Sequence, residues 1–144
     1  MTMAELTLDA TNLIVGRMAS YLAKQALLGH AINVLNCEHA VMSGNPASIR
    51  EKYYLRRRET GQPQTGPFVP KVPDRFVRRI IRGMLPHKQP RGKEAYGRVM
   101  CYIGVPEKFK TAKLITVSWA HADKLTTTKM QTIGELCKWL GWKQ

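Results

Sequence analysis

Glu5-Leu6-Thr7-Leu8-Asp9 alternates polar and apolar positions, the period of a short strand. Over residues 16–28, Met18, Ala19, Leu22, Ala23, Ala26 and Leu27 recur at helical spacing, and Gly29 supplies a stop. Ala31-Ile32-Asn33-Val34-Leu35-Asn36 then reads as a second strand. Strand, helix and strand in such quick succession predict a parallel pair joined by a crossover helix. Asn45 as a cap and Pro46 in the first turn open a helix that runs through Ala47 to about Arg58.

The middle of the chain changes character. Gly61, Pro63, Gly66, Pro67, Pro70 and Pro73 leave no room for regular structure between residues 60 and 73. This stretch reads as one extended surface loop rather than a linker, since too little chain follows on either side for two cores. A helix resumes at Asp74 and stops at Pro86. Beyond the loop Pro86–Gly92, a short helix is expected over 93–98, then strands at Val99–Ile103 and Leu114–Ser118. Thr132-Ile133-Gly134-Glu135 fits a capping box for a closing helix through Leu140. No internal repeat is visible. The alternation predicts a single α/β domain over 1–144, with about four strands and helices on both sheet faces.

Charge sharpens this picture. The 144 residues carry 23 Lys and Arg against 10 Asp and Glu, a formal charge of +13. Residues 50–98 hold 14 of the bases and only four acids (Glu51, Glu59, Asp74 and Glu94). Excess charge this concentrated points to a polyanion as partner, beyond what solubility needs. A hydrophobic content of 44% is too high for a disordered basic tail. Met1-Thr2-Met3-Ala4-Glu5 shows no signal-peptide pattern, and no apolar run approaches membrane-spanning length. Cys37, Cys101 and Cys137 are too few and too scattered for a disulfide framework, which suits a reducing, cytoplasmic setting.

The helix from Asp74 to Leu85 is the sharpest signal. Phe76, Val77, Ile80, Ile81 and Met84 form an apolar stripe, while Arg75, Arg78, Arg79 and Arg82 line the other face. Like charges at this spacing repel by a few tenths of a kcal/mol per pair (about 0.2–0.5). Asp74 can pair with Arg78 but cannot neutralise the set, whereas a phosphate backbone relieves the repulsion and accepts forked hydrogen bonds. In the preceding helix, Arg50 and Arg57 share a face with Tyr54, and Arg56, Arg57 and Arg58 crowd the C-terminus, where cations also suit the helix dipole. Tyr53 and Tyr54 read first as half-buried packing and only secondarily as base-stacking groups. Two loops, Gly61–Pro73 with Lys71 and Pro86–Lys93 with Lys88, Arg91 and Lys93, combine glycine, proline and cations, a composition that settles against a nucleic-acid backbone.

Enzymatic motifs do not emerge. Gly61 and Gly66 have P-loop spacing, but Pro67 stands where that motif needs lysine, and no GxGxxG occurs. Cys37-Glu38-His39 lacks a second Cys/His pair at ligand spacing and reads as a packed cysteine beside a surface histidine. Ser43-Gly44 lacks the frame of a nucleophile elbow. His30, His39, His87 and His121 are dispersed. No paired carboxylates suggest acid–base or two-metal chemistry, so no catalytic residue, metal, cofactor or small-molecule substrate is expected. A structural RNA-binding protein, a nucleic-acid-processing enzyme and an RNA regulator remain as classes on residues alone.

Three segments narrow these classes. Asp9-Ala10-Thr11-Asn12-Leu13-Ile14-Val15-Gly16-Arg17-Met18-Ala19-Ser20, Val41-Met42-Ser43-Gly44-Asn45-Pro46 and Ile81-Arg82-Gly83-Met84-Leu85-Pro86-His87-Lys88 resemble the thirteenth large-subunit ribosomal protein family. Pro90-Arg91-Gly92-Lys93 and Tyr102-Ile103-Gly104-Val105-Pro106 look like its archaeal and eukaryotic branch, and the compact C-terminus, ending Gly141-Trp142-Lys143-Gln144, leans archaeal. The resemblance spans nearly the whole chain. It implies a four-stranded, mainly parallel sheet. It also implies a structural role in the large ribosomal subunit, with large-subunit rRNA of the 23S type and neighbouring ribosomal proteins as partners. The matching RNA-facing candidates are Arg17, Arg50, Arg56, Arg57, Arg58, Arg75, Arg78, Arg79, Arg82, His87, Lys88, Arg91 and Lys93. Of these, Arg17 and His87 rest mainly on the resemblance, and Lys71 joins the set from its loop.

Overall fold

The computed structural model describes residues 4–144; Met1–Met3, on which the reading of the N-terminus partly rests, lie outside them. β1 (Glu5–Asp9) and β2 (Ala31–Leu35) pair in parallel through α1 (Val15–Leu27). β4 (Val99–Cys101) adds in parallel beside β2, and β5 (Leu114–Ile115) beside β1, giving the order β4-β2-β1-β5. The expected four-stranded parallel sheet is present. Its outer strands are shorter than the pattern predicts. After Cys101 the ladder becomes irregular: Tyr102 still donates to the Val34 carbonyl, the Tyr102 and Gly104 carbonyls accept from the Cys37 and Asn36 N–H groups, and Gly104 turns the chain with φ +67°. Ser118–Ala120 winds into a 3-10 turn instead of extending β5.

Register decides what each face does. Leu8, Ile32, Val34, Val99 and Cys101 share one face and join Met18, Ala19, Leu22, Val77 and Ile81 in the core. Glu5, Thr7 and Asn33 share the other, where Asn33 Nδ2 donates to Glu5 Oε1 at 2.7 Å. This polar face is crossed by the connection from β4 back to β5. The pattern predicts helices on both faces, but that connection contains only the 3-10 turn Glu107–Phe109, because Gly104 and Pro106 interrupt so short a crossover.

The long excursion from β2 to β4 carries the basic block. β3 (Val41–Ser43) pairs antiparallel with β6 (Met130–Thr132), a two-stranded sheet too short for periodicity to reveal. α2 (Pro46–Tyr54) starts with Asn45 accepting from the Ala47 N–H at 3.0 Å and ends in one π turn, Leu55–Glu59. α3 (Pro73–Gly83) buries Phe76, Val77 and Ile81. α4 (Pro90–Gly97) begins three residues earlier than expected, with Pro90 in its first turn, so Arg91 and Gly92 are helical rather than loop. α5 (Ile133–Leu140) is capped by Thr132 Oγ1, which accepts from the Glu135 N–H at 3.3 Å. All three cysteines are free and buried, and burial pushes the Cys137 thiol up to about 12.

Candidate nucleic-acid interface

α3 presents its four arginines around one concavity. Arg75, Arg78, Arg79 and Arg82 line a pocket of about 260 Å³ closed by Phe68, Pro70 and Tyr96. A second hollow, about 320 Å³, lies on the other side of the Phe68 turn and is lined by Arg57, Arg58, Pro67, Phe68 and Val69. The fold therefore gathers six of the sequence-predicted arginines, from two elements, around a single turn of the Gly/Pro-rich loop.

These guanidiniums are not equivalent. Arg78 Nε donates to the Val99 carbonyl at 2.9 Å and its terminal nitrogen to the Tyr96 carbonyl at 3.2 Å, with the guanidinium 4.0 Å from the Tyr96 ring centre. It ties α3 to the end of α4 and the start of β4. Asp74 does not pair with Arg78 as the spacing suggested; its carboxylate accepts from the Arg75 backbone N–H at 2.7 Å. Arg57 donates to the Val69 carbonyl and Arg79 to the Phe68 carbonyl, so both pin the loop to the helices. Arg58 and Arg75 are exposed, and neither side chain has an ion-pair or hydrogen-bond partner among the described residues. Arg82 Nε is shut off from solvent with no acceptor, which carries a desolvation cost.

Removing Arg78 should therefore act on the fold first. Arg78→Gln strips two charge-assisted hydrogen bonds and leaves two carbonyls under-satisfied, for an expected loss of about 2 kcal/mol. Urea unfolding checks this; a stability unchanged within error would show that the side chain is not the strut the geometry describes.

The remaining candidates are spread more widely. Arg56 is exposed and sits over the Tyr53 ring, 5.6 Å from its centre. Tyr53 packs on Phe76 and Tyr54 on Trp139, the packing role expected of both. Burial raises the Tyr53 hydroxyl above its ordinary value even with Arg56 and Arg79 nearby. Arg50 turns away from the pocket: with the Gln131 amide oxygen facing it, its Nε and a terminal nitrogen donate at 2.9 and 3.3 Å. Lys71, Lys88, Arg91 and Lys93 are exposed. Cys37 is fully buried and His39 exposed, 3.4 Å from Glu38. Among the described residues no cluster of three or more His, Cys, Asp or Glu is placed to hold a metal, and no helix is long and apolar enough to cross a membrane.

One group was missed in the sequence. Phe68 is 66% exposed, at the lip of both arginine-lined hollows. The available signal was its setting: an aromatic between Pro67 and Pro70, outside any periodic segment that would bury it.

The family model for ribosomal protein L13 matches residues 4–108, which include every basic group of this surface. The chain belongs to the ribosomal protein L13 family. It is 45% identical to the large ribosomal subunit protein uL13 of Methanococcus maripaludis, over 94% of this chain and 96% of that one. It is 40% identical to the protein of the same description from Methanococcoides burtonii, over 94% and 97%. To the one from Haloarcula marismortui it is 42% identical, over 96% and 92%. These relatives agree with the archaeal-type resemblance. Within this L13-family chain, the two candidates that rested mainly on the resemblance lie apart from the Phe68 turn. Arg17, on α1, donates to the Trp119 carbonyl at 3.3 Å. His87 sits half-buried in the turn after α3, its Nδ1 3.4 Å from the Leu85 carbonyl.

Proposed function

We propose that this protein is a structural constituent of the large ribosomal subunit that binds 23S-type rRNA through the basic surface of residues 50–98 and supports subunit assembly. Membership of a family of structural ribosomal proteins, not of enzymes, supports the coarse part of this reading. It also supports a cytoplasmic setting among neighbouring ribosomal proteins. The observation that carries the finer part is the ring of arginines around the Phe68 turn. Some of these residues fix the loop and others stay free for phosphate. A guanidinium held on a packed helix loses little freedom on meeting a phosphate and binds it with two parallel hydrogen bonds. Roughly half or more of the contacts in such interfaces go to backbone phosphate and sugar, which position rather than specify.

Sucrose-gradient sedimentation of cell extract in moderate salt tests the reading. The protein should travel at one copy per large subunit. A pool confined to the soluble fractions would contradict it and favour a regulatory role off the ribosome.

Gly83 offers a separable prediction. It ends α3 without a positive φ, and a Cβ there meets nothing of the chain within 4 Å. Alanine should therefore raise the stability of the free protein by up to about 1 kcal/mol. The chain itself gives no reason for glycine at this site. A close approach of the rRNA backbone does, so Gly83→Ala should melt higher yet bind rRNA more weakly. Unchanged rRNA affinity in the titration would remove that role.

A further inference from the structure

We propose that Phe68 is a stacking platform for one unpaired nucleotide of the RNA, with Arg58 and Arg75 on either side taking its flanking phosphates. This rests on the rRNA-binding reading above and adds what kind of RNA the site takes. Phe68 is the most exposed large hydrophobic residue among those described, yet it does not lie on a slack segment. Its own carbonyl accepts from Arg79 and the next carbonyl, that of Val69, accepts from Arg57. Two guanidiniums from two helical elements thus hold the backbone beneath an outward-facing ring. Gly66 lies close under that ring, where a Cβ would come within 3.1 Å of its edge. The ring is therefore both anchored and oriented, while an exposed phenyl forgoes the stabilisation that burying it would contribute to folding.

The surroundings say what covers it. Both hollows flanking Phe68 are rich in arginine, and the only carboxylate near them along α3, Asp74, is turned to its own helix backbone. An apolar protein partner would have to desolvate these charges without neutralising them. A nucleotide supplies both complements at once, a π-face for the ring and phosphates for the cations. The base must be unpaired, because in an A-form duplex the base faces are already stacked and the major groove is too deep and narrow to reach. The Arg78–Tyr96 stack, with both of its polar edges on carbonyls, forms the fixed back wall of the site.

The test uses the full chain and three RNA probes: deproteinised large-subunit rRNA, a single-stranded oligonucleotide and a fully paired duplex of equal length. Phe68→Ala should bind rRNA and the single strand roughly 5- to 100-fold more weakly, with the salt dependence unchanged, and bind the duplex as the wild type does. Phe68→Trp should retain affinity within about twofold, and Phe68→Leu, which keeps apolar bulk without a π-face, should behave like alanine. Because the ring is exposed, melting temperatures of the three variants should stay near that of the wild type. Wild-type binding to rRNA with no loss in Phe68→Ala, or an equal loss on the duplex, overturns this inference alone. Failure of the wild type to bind rRNA overturns the proposed function as well.

Discussion

Arg58, Arg75, Arg82, Lys88 and Arg91 changed together to Gln should leave the protein folded and weaken its binding to large-subunit rRNA about a hundredfold or more at 50 mM salt. None of these five side chains makes a hydrogen bond or ion pair among the described residues, so their loss removes no strut. Each freed phosphate contact returns a condensed counterion. The log–log salt slope should therefore fall by about 4, at roughly 0.7–0.9 per phosphate. The matched control changes Lys24, Lys110, Lys113, Lys124 and Lys129, which lie outside the basic block and reduce net charge equally. Equal loss of slope in both variants would mean that charge acts only through its total. An intact slope in the first variant would remove the block from the interface.

Gly92→Ala should be strongly destabilising. A Cβ at this position would fall 1.9 Å from the Pro86 carbonyl oxygen and 2.9 Å from the His87 nitrogen, both backbone atoms in the turn that joins α3 to α4. No rotamer relieves such an overlap. The turn must move, and with it Leu85, which is buried in the core. An expected loss of about 3 kcal/mol, at the upper end for overpacking, should appear as a lowered urea midpoint. A midpoint within experimental error of the wild type would show that the turn relaxes freely.

Gly92 also illustrates what the sequence could and could not tell. Its place in a Gly/Pro/Lys stretch suggested a loop glycine kept small for an approaching RNA backbone. The approaching backbone belongs to the chain itself, and the cue for the helix was Pro90, whose fixed φ suits a first turn. The central βαβ unit was legible because α1 and the first two strands have unbroken periodicity and cross a short stretch of chain. β3 and β6 were not, since three residues carry no period and their pairing partners lie about ninety residues apart. On α3, the arginine stripe told which face is polar. It could not tell that Arg78 and Arg79 would be held by the carbonyls of Val99, Tyr96 and Phe68, because those acceptors come from segments whose position only the tertiary fold sets. The same limit hid Phe68, whose exposure depends on how the loop is tied down.

The most direct measurement is ultraviolet crosslinking of protein to rRNA within intact large subunits, followed by mass spectrometry of the peptide–nucleotide adducts. The account predicts adducts concentrated between Arg56 and Lys93, with Phe68 among them and joined to a nucleotide outside any base pair. Adducts confined to Lys108–Lys113, Lys124–Lys129 and Lys143, with none in the basic block, would contradict it.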